Sequence, residues 1–140
     1  MQATNQLQFL KAVAKRPKAA LVRAYLEMRP SYRGKGYCPI CEKEVNFKAL
    51  RSWLRDYLFC SNCRSIPRER ALMQVIKDWY PNWKQASVHE SSPEDRGASV
   101  RLSKECREYC ASQYDPATPW GELDTTGAWR SEDLENQTFP

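Results

Sequence analysis

Two C-x2-C pairs, Cys38-Pro39-Ile40-Cys41 and Cys60-Ser61-Asn62-Cys63, constrain this chain more than any other feature. Eighteen residues separate them. Two residues between cysteines let both sulfurs of a tight knuckle point at one ion, and two knuckles complete a tetrahedron of thiolates, which suits zinc. A redox pair would need one C-x2-C in a thioredoxin-like setting, and iron–sulfur clusters use other spacings. A site closed by four protein ligands leaves no position for water or substrate. The expected Zn2+ on Cys38, Cys41, Cys60 and Cys63 is therefore structural, and it supplies folding energy that so small a module cannot draw from a core.

The flanking pattern fits a small zinc ribbon or a treble clef. Residues 31–36 read as a flexible lead-in. Val45–Phe47 and Tyr57–Phe59 have short strand character between the pairs. After Cys63 a helix is signalled by Ser65 as N-cap, Pro67 in the first turn, and one apolar stripe of Leu72, Val75, Ile76 and Trp79. Tyr80-Pro81 ends it.

Charge divides the chain at the same place. Residues 1–84 carry 17 Lys+Arg and 6 Asp+Glu, whereas residues 85–140 carry 5 and 11. A basic front and an acidic back suggest units with different jobs. Upstream, Leu7, Leu10 and Ala14, then Leu21, Val22, Tyr25 and Leu26, form two apolar helical stripes interrupted by Pro17. Lys11, Lys15, Arg16, Lys18 and Arg23 among them read either as phosphate contacts or as a solvated helix face.

Downstream, Ala86–Glu90 reads as a strand, Ser99 to about Tyr109 as a helix, Ala111–Tyr114 as a second strand, and Pro116 to about Gly127 as a loop. Cys106 and Cys110 fall four apart on the expected helix and read as core-fillers rather than as ligands of a second metal. His89, the only histidine, reads as structural or as lining a pocket edge.

No apolar run approaches the roughly 18 residues of a membrane span. Met1 to Leu10 lack the basic start and apolar stretch of a secretory signal. The expectation is a cytoplasmic protein with reduced thiols.

The run from Cys60 to Arg70, with a C-x2-C upstream, resembles a zinc-binding leader found in some class I S-adenosylmethionine-dependent methyltransferases. Val88-His89-Glu90-Ser91-Ser92-Pro93-Glu94 and the acidic segment from Ser131 to Pro140 extend the likeness over about residues 36–140. The resemblance implies an α/β protein in three parts. An N-terminal helical segment (1–33) is followed by a four-cysteine zinc module with its helix (34–82). The first portion of a Rossmann-like parallel-sheet methyltransferase domain (83–140), incomplete at this length, comes last. It implies S-adenosylmethionine as cofactor and a methyl acceptor of unidentified class.

Carried over, the match places Glu90 at the end of the first parallel strand, near the cofactor's charged end. Ser91, Ser92 and Pro93 stand where a glycine-rich loop is usual. Gln113 and Tyr114 close the second strand beside ribose and adenine, and Glu132, Asp133 and Leu134 border the adenine ring. No catalytic residue is nominated. Because a parallel sheet needs cover on both faces, the expectation is that these 140 residues alone do not transfer methyl groups. The alternative is a non-enzymatic zinc module for nucleic acid or protein. Arg51, Arg55, Arg64, Arg68 and Arg70, with Trp53 and Tyr57 among them, would grip phosphates and stack on bases.

Overall fold

The structure is a computed structural model and describes residues 21–139, apart from Arg23, Leu26 and Glu27. The expected helical stripe of Leu7, Leu10 and Ala14, with Lys11, Lys15, Arg16, Lys18 and Arg23, lies outside the described residues. In the second stripe, Leu21, Val22 and Tyr25 are helical and exposed.

The first sheet is an antiparallel meander of β1 (Tyr32–Cys38), β2 (Lys43–Ala49) and β3 (Leu58–Cys60), in that order. Strand β1 overturns the expected lead-in at residues 31–36. Arg33-Gly34-Lys35-Gly36-Tyr37 has the period-2 alternation of a strand, and the small positions serve packing. A Cβ on Gly34 would overlap the Tyr32 hydroxyl and lie 2.8 Å from its ring, and one on Gly36 would meet the Phe47 ring at 3.3 Å. A short helix, α1 (Leu54–Tyr57), precedes β3 and takes Tyr57 out of the expected strand.

Helix α2 (Pro67–Trp79) forms where the sequence places it, with Pro67 in the first turn, but its cap and buried face differ. Ile66 is the N-cap, and Glu69 reaches back to accept from its N–H at 3.4 Å. Ser65 is fully buried behind the cysteines. The face turned inward carries Arg70 and Met73, with Ile76 packed against the core. Leu72, Val75 and Trp79, expected inside, are 49%, 52% and 77% exposed. Arg70 takes the core position because its guanidinium has fixed work there. It stacks 4.6 Å above the Phe47 ring and donates to the Ser65 carbonyl (2.5 Å) and the Leu58 carbonyl (3.2 Å).

A 3-10 turn (Trp83–Gln85) leads to the second sheet. Strands β4 (Ser87–Ser91), β5 (Glu108–Gln113) and β6 (Arg130–Ser131) lie parallel in that order, with α3 (Gly97–Glu105) joining the first two. The chain is thus α/β, with one antiparallel and one parallel sheet. Helix α3 stops earlier than expected, so Tyr109 and Cys110 belong to β5, and Cys106 and Cys110 do not share a helix face. Cys106 packs at the core edge.

One buried cluster joins the two halves. Cys38, Ile40 and Cys60 of the first sheet and its knuckles meet Met73 of α2, Trp83, and Ala98 and Leu102 of α3. Polar contacts fasten the same seam. Arg101 donates to the carbonyls of Ile40 and Pro39 and pairs with Glu42 at 3.1 Å, and Lys77 also pairs with Glu42. The Gly97 N–H donates to the Cys63 carbonyl at 3.1 Å. No helix among the described residues is long and apolar enough to cross a membrane.

Candidate metal centre and the carboxyl edge of the parallel sheet

The two knuckles are built alike. Glu42 N–H donates to the Cys38 carbonyl at 2.7 Å, and Arg64 N–H to the Cys60 carbonyl at 3.0 Å. The donating residue is left-handed in both, with φ of 55° at Glu42 and 60° at Arg64. Each turn therefore reverses the chain just after its second cysteine and leaves both sulfurs on the inner side.

The sulfurs of Cys38, Cys41, Cys60 and Cys63 all lie within 4.8 Å of one another. Cys38 to Cys63 and Cys41 to Cys60 are each 3.8 Å. Zn–S bonds of about 2.3 Å in a tetrahedron put sulfurs about 3.8 Å apart, so the cage can hold one metal ion and its size is compatible with zinc. Nearby donors offset part of the cost of negative sulfur there. Asn62 donates its backbone N–H to Cys60 at 3.4 Å and its side-chain amide to Cys41 at 3.2 Å. Ser65 Oγ lies 3.1 Å from Cys63 Sγ. Burial pushes the Cys63 thiol up, against the lowering effect of Ser65. A divalent cation held there would reverse that balance by taking the place of the proton.

The register of the parallel sheet brings the residues singled out for cofactor binding to one edge. Ser91 lies opposite Ser112, and Gln113 opposite Ser131. Ser92 N–H donates to the Ser112 carbonyl at 2.7 Å, and Glu132 N–H to the Gln113 carbonyl at 3.0 Å. The segments after β4, β5 and β6 therefore emerge side by side.

Individually these residues differ. Glu90 turns under α3, where it accepts from Ser99 Oγ at 2.6 Å and from the Tyr109 hydroxyl at 2.7 Å. Glu94 N–H in turn donates to Ser99 Oγ at 3.1 Å, so Glu90 shapes the β4–α3 loop. Burial, and then the neighbouring Glu90 carboxylate, push the Tyr109 phenol well above its ordinary value. Ser92 is left-handed, with φ of 54°, beside exposed Ser91 and half-buried Pro93. Gln113 is half-buried, and Tyr114 is 66% exposed, its ring 5.3 Å from that of Trp120.

Glu132 is 2% exposed and fully occupied. It accepts from Arg130 Nε (2.5 Å) and from the Thr138 N–H (3.0 Å) and hydroxyl (2.7 Å). Burial works to raise its carboxyl, but these donors outweigh it and hold it low. Asp133 accepts from Glu135 N–H at 2.9 Å within its own turn, and Leu134 is 55% exposed. His89 lies on the opposite face from Glu90, 2.7 Å from Ser112 Oγ and against the Phe139 ring.

The sequence reading passed over Trp120, whose signal was an aromatic inside a Pro/Gly/Thr-rich loop. Of the arginines nominated for nucleic acid, Arg70 is committed to the interior. Arg68 pairs with Asp56 at 3.6 Å, and Arg51 stacks on Tyr57 at 5.0 Å. No protein-family model matches this chain, and no curated protein or solved structure matches it significantly.

Proposed function

We propose that this chain is the N-terminal portion of an S-adenosylmethionine-dependent methyltransferase, joined to a four-cysteine module that holds a structural zinc. The observation that carries the reading is the parallel β4–α3–β5–β6 unit, whose strand-end segments line one edge. Open α/β sheets bind ligands in the crevice beyond the carboxyl ends of their strands.

The residues there suit the cofactor's parts. Gln113 offers an amide to the ribose hydroxyls. Tyr114 and Trp120 offer an exposed aromatic pair to the adenine. Ser92 has the backbone conformation that a glycine-rich loop uses at this point, so Ser91-Ser92-Pro93 can replace such a loop. Glu90 acts one step back, by holding the loop through Ser99. Glu132 likewise positions the segment that carries Asp133 and Leu134. In the reaction a nucleophile of the acceptor would attack the sulfonium methyl in line, and the protein's part would be to align the two.

Equilibrium dialysis of the zinc-loaded chain with S-adenosylmethionine labelled in the methyl group tests this. Saturable binding is expected, weakened about tenfold by Trp120→Ala, in keeping with the loss of an aromatic contact of about 1.4 kcal/mol. Absence of saturable binding by a chain that retains its metal and its circular dichroism refutes the reading.

A further inference from the structure

We infer that the outer face of the first sheet is a binding platform for single-stranded nucleic acid. The proposal stands apart from the cofactor reading and uses other residues.

Strand register defines the face. Partners across the β1–β2–β3 meander are Arg33, Lys48 and Phe59 in one row, Lys35 and Asn46 in the next, and Tyr37 and Glu44 in a third. Ser61 N–H donates to the Asn46 carbonyl at 2.9 Å, which extends the second row. Residues in register share a face, and neighbours along a strand alternate faces. The opposite face carries Gly36, Val45, Phe47 and Ala49, and Arg70 of α2 stacks on Phe47 there. Arg33, Lys35, Asn46, Lys48 and Ser61 line an open depression of about 450 Å³, which also reaches Gly34 and Phe47.

Three observations point to a polyanion. Arg33, Lys35 and Lys48 make no ion pair among the described residues. Arg33 and Lys48 stand directly opposite each other, an arrangement of like charges that costs stability. Glu44, the one acid on the face, sits at its far end beside Tyr37.

Two further observations point to single-stranded nucleic acid rather than another anion. Tyr37 is 55% exposed at one end of the platform, and the half-buried Phe59 ring lies at the other. Asn46, on the same strand as Lys48, and Ser61, just past the end of β3, place neutral hydrogen-bonding groups beside the cations. Cations that track a phosphate backbone, with aromatic rings on which bases stack, are the working parts of sheet surfaces that bind unpaired strands.

The test is fluorescence anisotropy of the zinc-loaded chain with a labelled single strand about 12 nucleotides long, within the usual span of such sites. Log affinity against log salt should fall with a slope of about −2, for three phosphates at about −0.7 each. Arg33→Gln/Lys35→Gln/Lys48→Gln should lower affinity more than about tenfold at low salt and flatten the slope. Lys84→Gln/Lys104→Gln/Arg107→Gln removes the same charge elsewhere and should cost less than about threefold. Tyr37→Ala should cost about fivefold or more with the slope unchanged. Metal content and circular dichroism report that each variant folds. Equal losses from the two triple variants, equal affinity for a duplex or for heparin, no effect of Tyr37→Ala, or no binding at low salt would each overturn the proposal.

Discussion

Replacing Gly97 by alanine should damage the seam between the cysteine knuckles and the parallel sheet more than any other single methyl group added to a glycine. Gly97 opens α3 with φ of 56° and donates its N–H to the Cys63 carbonyl. An L side chain in the left-handed region costs about 1–2 kcal/mol. The new Cβ would also overlap Glu69 Oε2 and lie 3.1 Å from the Cβ of fully buried Ser65. Glu69 can swing away, but it then loses the Ile66 N–H and its 3.1 Å pair with Arg96, whose side chain is 21% exposed. Losing such half-buried, charge-assisted bonds costs about 1–2 kcal/mol. The total is about 3 kcal/mol. With a urea m-value of about 1.5 kcal/mol/M, the unfolding midpoint of the zinc-loaded protein should fall by about 2 M. In a Glu69→Ala background the same substitution should cost only the left-handed strain, a shift of about 1 M. A shift below about 0.5 M in the native background, or equal shifts in both, would refute the argument.

The purified chain should contain one zinc ion, measured by elemental analysis, and Cys41→Ser should abolish tight binding. Because Arg101 and Lys77 tie the first knuckle to α3 and α2, chelation should loosen the parallel sheet too, seen as slowed amide exchange lost in β4 and β5. Arg70→Lys should cost about 2 kcal/mol in urea unfolding, since an ammonium cannot stack on Phe47 and serve the Ser65 and Leu58 carbonyls together. The Thr126 hydroxyl first, then the Thr126, Ala128 and Trp129 N–H groups, hold the Asp124 carboxyl down to about 2. Its folded value lies below its unfolded one, so its stabilisation is present above about pH 4 and is lost as pH falls toward about 2. Amide shifts of those three residues followed by NMR should titrate near about pH 2, and a midpoint near about 4 would contradict the turn geometry.

Local chemistry decided what the sequence could reveal. The C-x2-C spacing implied the sulfur cage because knuckle geometry is set by four consecutive residues and two such knuckles can share one ion. Helix α2 and strands β4 and β5 were legible from short-range signals such as Pro67 and Tyr80-Pro81, with ends displaced by a few residues. Strand β1 was missed because its glycines resemble a linker, although they exist to let Tyr32 and Phe47 lie across the sheet. Which face of α2 turns inward was not legible either. Its apolar stripe points one way, while the demand for a donor at the carbonyls of buried Ser65 and half-buried Leu58 turns Arg70 inward instead. The occupation of Glu132 by Arg130 and Thr138, and of Glu90 by Ser99 and Tyr109, likewise depends on where distant backbone segments come to rest. Spacing along the chain specified which groups could bind an ion, whereas burial and hydrogen-bond satisfaction in three dimensions determined which polar groups remain available to a ligand.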